Sequence, residues 1–141
     1  MTKQEEEKIA RLLDANLNRL KEGIRVVEDI NRYIFDNQAL STALKNLRHK
    51  LQSAYTQERL YCRDIENDVL KETISSELQR SNIEDIIIAN FSRSQESARV
   101  LEECFKLTDP KLSELSKEIR YELYAIEKDF FIERNKSITN A

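Results

Sequence analysis

Residues 15–28 read ANLNRLKEGIRVVE, and residues 89–102 read ANFSRSQESARVLE. Seven of the fourteen aligned positions are identical, and five of those seven identical residues are polar. A repeat that served helix packing alone would keep mainly its apolar positions. This one therefore preserves more than an apolar stripe, and it indicates either a shared polar network of the fold or a shared binding site.

Apolar residues recur at helical spacing through and beyond both copies. Residues 4–35 carry one continuous stripe and predict a long amphipathic helix, after which Asp36 or Asn37 can cap a second helix. Ser81 or Asn82 can cap a third. The predicted divisions are a first helical hairpin over residues 4–60, a connecting loop over residues 61–80, a second hairpin over residues 81–133 and a frayed tail over residues 134–141.

The fourth helix begins at Pro110, where the missing backbone N–H costs nothing, and Asp109 can cap it. Arg48 in the first hairpin corresponds to Arg120 in the second, so the repeat unit is the whole hairpin. Two such hairpins predict an all-α four-helix bundle with approximate internal two-fold symmetry. The connecting loop has no clean apolar period, and a loop of that length in a compact domain is more often functional than not.

Composition limits the class of protein. The 141 residues suffice for one domain, and 35% of them are charged, with one glycine, one proline and no tryptophan. These values predict a single all-helical domain. The net charge is −3 and the basic residues form no dense cluster, which argues against a nucleic-acid partner but is compatible with one small phosphorylated ligand.

Compartment and redox state are predicted from features that the sequence lacks. The first residues, MTKQEEEKIARLLDANL, contain no apolar signal segment, and no run approaches the roughly 20 apolar residues of a membrane span. Cys62 and Cys104 are far apart and the sequence has one histidine, so neither a disulfide framework nor a Cys/His zinc site is indicated. We expect a soluble cytoplasmic protein with reduced thiols and no membrane partner.

The polar residues of the repeat can be placed around their helix at about 100° per residue. Asn16 falls inside the buried stripe, Arg19 falls at its edge, and Gly23 lies between them. A buried amide that finds no partner costs about 1–3 kcal/mol, so polar groups should face it. The corresponding residues of the second copy are Asn90, Arg93 and Ser97.

Two interpretations of these residues are equally supported by the angles. In the first, the asparagines join the two halves through a symmetric hydrogen-bonded network. In the second, asparagine and arginine from both copies line a polar pocket, with Gly23 and Ser97 keeping its wall low enough to admit a ligand. Arg25 and Arg99 lie farther round the helix and are interpreted mainly as surface partners of neighbouring glutamates.

A longer pattern resembles a known family. LDANLNRLKEGIRVVEDINRYIFDNQALSTALKNLRHKL at residues 13–51, RDIENDV at 63–69 and ANFSRSQESARVLEE at 89–103 resemble a compact all-helical domain that many bacteria fuse ahead of thiamine-phosphate synthase (thiamine-phosphate pyrophosphorylase). The resemblance covers residues 11–130 and implies hydroxymethylpyrimidine phosphate kinase activity. Two features depart from the family pattern. Leu70 stands where the family usually has glycine, and the sequence contains no synthase domain, so we expect the product to pass to a separate synthase.

The resemblance implies transfer of a phosphoryl group from ATP, with Mg²⁺, to 4-amino-5-hydroxymethyl-2-methylpyrimidine phosphate. That reaction requires cations around the phosphates and carboxylates for Mg²⁺. We assign Arg63 and Arg93 to catalysis and Asp64 and Asp68 to the metal. No glycine-rich GxxxxGK[ST] loop occurs, so ATP binding is implied by the family alone. Substrate and phosphate binding is assigned to Asn16, Arg19, Arg48, Asn90 and Arg120.

Two other functions remain open at this stage. One is a non-catalytic helical module that binds an enzyme of thiamine synthesis or a phosphorylated pyrimidine, which would explain the bundle and the arginines equally well. The other, less well supported, is a small helical enzyme of another reaction class that holds a dianionic substrate with arginines.

Overall fold

Five α-helices make up most of the part of the chain that the computed structural model describes, residues 1–72 and 79–139. Asn37 caps the helix that begins at Gln38, and Asn82 caps the helix that begins at Ile83. The side chain of each asparagine accepts a backbone hydrogen bond, as predicted. Within the described residues, no helix is long and apolar enough to cross a membrane. The helices are α1 (Lys3–Tyr33), α2 (Gln38–Lys50), α3 (Gln57–Tyr61), α4 (Ile83–Phe105) and α5 (Pro110–Thr139), with a 3-10 turn at Leu51–Ala54.

Four of these helices form a bundle of two hairpins. α1 packs against α2 and α4, and α5 packs against α4 and α2, while the short α3 lies on α1. Arg134 near the end of α5 donates to Glu84 at the start of α4, so these two helices run antiparallel. The predicted all-α bundle is confirmed, and its core consists of the predicted apolar stripes.

The helix ends differ from the predictions in two places. The second helix ends at Lys50 rather than near residue 60, because the chain turns through 3-10 geometry and becomes extended at Tyr55 before Thr56 caps α3. The predicted frayed tail is helical through Thr139. At the start of this segment, Arg134 donates to Glu84 and its guanidinium lies 5.0 Å from the ring centroid of Phe35.

The repeated polar residues form two equivalent ion pairs. Arg48 donates to both carboxylate oxygens of Glu28 at 2.8 and 3.1 Å, and Arg120 donates to one oxygen of Glu102 at 2.9 and 3.2 Å. Both glutamates are buried. Burial alone would raise the pKa of Glu102, but the hydrogen bonds and positive charges of Arg120 and Arg99 together more than offset burial, so the net shift is downward. The repeat therefore preserves, at least in these four residues, an internal polar network of the fold.

The pocket interpretation of Gly23 is wrong. Gly23 lies at a close approach of α1 to α4, where an added Cβ would stand 2.2 Å from Ser94 Oγ and 3.1 Å from the Asn90 carbonyl oxygen. Ser97 is likewise buried. Gly23 therefore lets α1 and α4 pack closely, and it does not lower the wall of a ligand pocket.

We expect Gly23→Ala to lower the free energy of unfolding by about 1–3 kcal/mol, because the added methyl group overpacks the contact with Ser94. This loss outweighs the gain of about 1 kcal/mol in helix propensity. Urea unfolding followed by circular dichroism measures the change. Adding Ser94→Ala removes the nearest atom and should restore most of the loss, with Ser94→Ala alone as the control. Full stability of the single Gly23→Ala variant would contradict the close helix approach.

Candidate active-site cleft

A cleft of about 820 Å³ lies between α1 and the segment that follows α3. Its walls come from two parts of the chain that are distant in sequence, the first repeat copy and the connecting loop. The assigned residues that line it are Asn16, Arg19, Arg63, Asp64 and Asp68. The fold thus brings five of the nine assigned residues to one concave surface.

Asp14 determines the position of Arg63 in this cleft. The Arg63 guanidinium donates from Nε to Asp14 Oδ2 at 2.7 Å and from Nη2 to Asp14 Oδ1 at 2.9 Å. Asp14 is buried, whereas the Arg63 side chain is 41% exposed. The hydrogen bonds to Asp14 raise the pKa of Arg63, so it stays charged. Because a guanidinium has five N–H donors, the two hydrogen bonds to Asp14 leave other N–H groups of Arg63 able to bind a ligand.

Hydrogen bonds within the fold hold the α1 wall in place. Asn16 is buried and donates from Nδ2 to the Leu12 carbonyl oxygen at 3.0 Å, so its own helix supplies a partner. Tyr55 donates its hydroxyl to the Leu17 carbonyl oxygen at 2.8 Å. Burial, together with the charge of nearby carboxylates, raises the pKa of Tyr55 far above its ordinary value. The phenol therefore stays protonated and acts as a structural donor.

Asp64 organises the opposite wall. Its carboxylate accepts from the backbone N–H groups of Glu66 and Asn67 at 3.1 and 3.0 Å and from the Asn67 side-chain amide at 2.9 Å. The bond from the Asn67 side chain is the largest of the causes that lower the pKa of Asp64. Asp68 accepts from the backbone N–H of Leu70 at 3.0 Å. Both carboxylates assigned to a metal thus also shape the loop.

Leu70, at the position where the resemblance implies glycine, shows no left-handed backbone strain. Among the described residues, Asp36 is the one non-glycine with a positive φ, so Leu70 does not adopt the left-handed conformation that favours glycine. Its side chain is exposed. The loop conformation of this chain is therefore compatible with leucine at this position.

The charges of the cleft favour an anionic ligand. Five basic and four acidic side chains line it, which leaves one positive charge in a protein whose net charge is −3. Bidentate guanidinium groups match the geometry of phosphate. The basic residues are Lys8, Arg11, Arg19, Arg63 and Lys71, and the acidic residues are Asp14, Glu22, Asp64 and Asp68.

The carboxylates fit Mg²⁺ in donor type but form no preassembled cage. Asp64 and Asp68 offer the hard oxygen atoms that Mg²⁺ prefers, and one or two carboxylates suffice when phosphates supply the other ligands. Over the described ranges, no three or more acidic, histidine or cysteine side chains converge on one metal position. These residues therefore suit a cation that arrives with a phosphorylated ligand.

The other four assigned residues are not among the described residues that line the cleft. Arg48 and Arg120 are engaged in the ion pairs with buried glutamates. Asn90 is half-buried and donates to the Ile86 carbonyl oxygen at 2.8 Å, as Asn16 does in its own helix. Arg93 is exposed on α4. The two-fold symmetry of the sequence does not extend to this cleft.

Sequence reasoning missed Asp14, which orients Arg63. At about 100° per residue, Asp14 lies well off the centre of the apolar stripe, yet it is buried and paired with Arg63 from the segment that follows α3. One signal was available. The position equivalent to Asp14 in the second copy is Ile88, so the two copies differ at this position.

Comparisons with known proteins point to one family. The sequence model of the ThiD2 family matches residues 11–129. The chain is 41% identical over 120 residues to a thiamine-phosphate synthase of Synechocystis sp.. The aligned residues are 84% of this chain and 35% of that protein. It is 39% identical over 125 residues to the thiamine-phosphate synthase of Thermosynechococcus vestitus, covering 88% of this chain and 36% of the relative.

A third relative, the thiamine-phosphate synthase of Nostoc punctiforme, is 37% identical over 127 residues, which are 89% of this chain and 36% of that protein. The chain thus spans about a third of the length of the curated relatives that it matches. No solved structure matches it.

Proposed function

This chain belongs to the ThiD2 family, and we propose that it acts in thiamine biosynthesis as a kinase of 4-amino-5-hydroxymethyl-2-methylpyrimidine phosphate. The family match and the relatives named thiamine-phosphate synthase support the pathway. In the proposed step, an oxygen of the substrate phosphate attacks the γ-phosphorus of ATP. The bond from that phosphorus to the β–γ bridging oxygen breaks, and ADP leaves with the bonding electrons.

The observation that carries this proposal is the Arg63–Asp14 pair in a positively charged cleft. Catalysis of phosphoryl transfer consists mainly of positioning and of stabilising charge on the transferring group. A guanidinium held by a buried carboxylate is already oriented, so it loses little conformational freedom when it meets a phosphate. We assign Arg63 to the transferring phosphate and Arg19, exposed on the facing wall, to the substrate phosphate.

Asp68 and Asp64 are the residues that would hold Mg²⁺. From the described residues, Asp68 accepts one hydrogen bond, through one carboxylate oxygen, whereas the two oxygens of Asp64 accept three, so Asp68 has more coordinating capacity. When bound, Mg²⁺ neutralises charge on the phosphate oxygens.

The direct test is incubation of the purified full chain with the pyrimidine monophosphate and Mg·ATP. We expect the pyrimidine diphosphate and ADP to appear in equal amounts, and a chelator to abolish both because Mg²⁺ is removed. Chromatography with mass detection measures the two products. ADP without the diphosphate, or no product with an active control kinase in the same buffer, would overturn the kinase proposal.

A binding module is the second candidate, and one observation favours it. Among the described residues that line the cleft, the carboxylates form no preassembled metal cage. Such a module would use the same cleft to bind the phosphorylated pyrimidine, or would bind a separate thiamine-phosphate synthase. Calorimetry with each partner tests it, and micromolar binding without diphosphate formation would favour the module.

A further inference from the structure

Glu22 is the last residue of α1 that lines the cleft in the described part of the chain. Arg11 donates from Nη2 to the Asp64 carbonyl oxygen at 3.3 Å, which places the start of the connecting loop beside Arg11. Glu22 follows Arg11 by about 16 Å along the helix axis, at 1.5 Å per residue. Arg63 lies between them, because its partner Asp14 belongs to the intervening turns of α1. The cleft thus has one end at the loop carboxylates assigned to Mg²⁺ and an opposite end at Glu22.

The Glu22 carboxylate is accessible to a ligand. Glu22 is exposed at the cleft surface, and it forms no hydrogen bond or ion pair with a described residue. The next arginine on α1, Arg25, pairs with Glu28 and Asp29 instead. A ligand can therefore bind Glu22 without displacing a described hydrogen bond. The other three carboxylates that line the cleft each accept at least one hydrogen bond from the described residues, and they are Asp14, Asp64 and Asp68.

Glu22 is also within electrostatic range of Arg63. The hydrogen bonds to Asp14 are the largest cause that raises the pKa of Arg63, and the negative charge of Glu22 raises it further. A ligand bound at Glu22 is therefore close to the guanidinium that we assign to the transferring phosphate.

Arg19 and Glu22 have a spacing that matches the proposed substrate. Residues three apart on a helix are neighbours, with Cβ atoms about 5–6 Å apart. The pyrimidine carries its amino group on C4 and its phosphorylated hydroxymethyl group on C5, and these are adjacent ring atoms. A ring whose phosphate binds Arg19 can therefore place its amino group at Glu22. The uncharged ring can pack on the apolar residues that line the same cleft, which are Leu12, Ala15 and Ile65.

The second repeat copy provides an internal comparison. Glu96 occupies the position equivalent to Glu22 and is likewise exposed, but it lines a different groove with Tyr124 of α5. Glu96 also forms no hydrogen bond or ion pair with a described residue. The described contacts of the fold thus require neither carboxylate, and the two glutamates differ in the surface that surrounds them.

We propose that Glu22 determines specificity for a 4-aminopyrimidine. Its carboxylate accepts a hydrogen bond from the exocyclic amino group, while Arg19 binds the phosphate on the neighbouring ring position. This inference rests on the substrate of the proposed function, but it does not require that the chain transfers a phosphoryl group.

The test compares two ligands by calorimetry with the full chain and without ATP. One is the pyrimidine monophosphate, and the other is its 4-methyl analogue, in which a methyl group of similar size replaces the amino group. We expect the wild type to bind the amino compound about tenfold more tightly, the effect of one hydrogen bond to a charged acceptor. Glu22→Ala should bind the two compounds within about twofold of each other. The ratio is the readout, because removing a negative charge changes the affinity for both phosphates.

Glu96→Ala is the matched control, and it should keep the tenfold preference. Alanine is a good helix former, so both variants should fold, which circular dichroism checks. The proposal is overturned if the wild type fails to bind or to prefer the amino compound, or if Glu22→Ala keeps the preference. It is also overturned if Glu96→Ala loses the preference to the same extent.

The outcome is independent of the kinase assay. If no diphosphate forms but Glu22→Ala abolishes the preference, the kinase proposal is wrong and the role of Glu22 stands. If diphosphate forms but the preference of Glu22→Ala is that of the wild type, only the role of Glu22 is wrong.

Discussion

Replacing Arg63 by alanine is expected to reduce turnover of the pyrimidine phosphate by about a hundredfold or more. A single well-placed donor to the charge that develops in a transition state contributes about 3–4 kcal/mol. Because the removal of Arg63 leaves the buried Asp14 carboxylate without its partner, the thermal midpoint should also fall, so turnover is compared at a temperature at which the variant is folded. Steady-state rates of diphosphate formation, with circular dichroism of the same preparations, measure both effects.

Two comparisons make this result specific to the pair with Asp14. Asp14→Asn keeps the shape of the side chain but removes the charge that orients Arg63, so we expect a smaller loss that falls mainly on kcat. Arg32→Ala removes an exposed guanidinium that lies over the Tyr33 ring at the far end of α1 and should leave the rate unchanged. If the Arg63→Ala variant turns over the substrate as fast as the wild type, Arg63 has no role in catalysis.

The assignment of Arg93 to catalysis stays a prediction that the same assay tests. Arg93 lies on α4, and the cleft is lined, in the described residues, by α1 and the connecting loop. Loss of turnover in Arg93→Ala equal to that in Arg63→Ala would show that the phosphate group contacts α4 as well.

Replacing Arg120 by alanine is expected to lower the free energy of unfolding by about 3 kcal/mol, because it leaves the buried Glu102 carboxylate without its main partner. For a domain of this size the thermal midpoint should fall by about 10 °C. Arg48→Ala should behave in the same way through Glu28. Urea and thermal unfolding measure these changes.

Arg19 supplies the matched control, because it is exposed and its replacement by alanine should change stability by no more than about 0.5 kcal/mol. A double variant, Glu102→Leu with Arg120→Leu, should recover much of the loss, since apolar residues of similar volume can replace a buried pair. If Arg120→Ala and Arg48→Ala keep full stability and instead lose binding of the phosphorylated pyrimidine, the two arginines belong to a binding site.

The sequence by itself determined the helices and their pairing. The apolar period and the capping residues Asn37 and Asn82 depend on neighbours in the chain, and these local interactions act wherever the helix lies. The repeat added long-range information, because two copies of one hairpin have two equivalent apolar faces that bury each other. Arg63, Asp64 and Asp68 could be singled out because the family resemblance implies phosphoryl transfer, and these residues supply a cation and two carboxylates in the loop between the hairpins.

Only the tertiary structure decided which polar residues serve the fold and which line a cleft. Arg19, Arg48 and Arg120 occupy similar stripe-edge positions in the sequence. The structure separates them, because Arg48 and Arg120 meet a buried glutamate across a helix pair, whereas Arg19 faces the connecting loop. The pair between Asp14 and Arg63 likewise joins two parts of the chain that are distant in sequence. The helical period predicts which residues share one face of a single helix. It does not predict which side chains meet between elements that are distant in sequence.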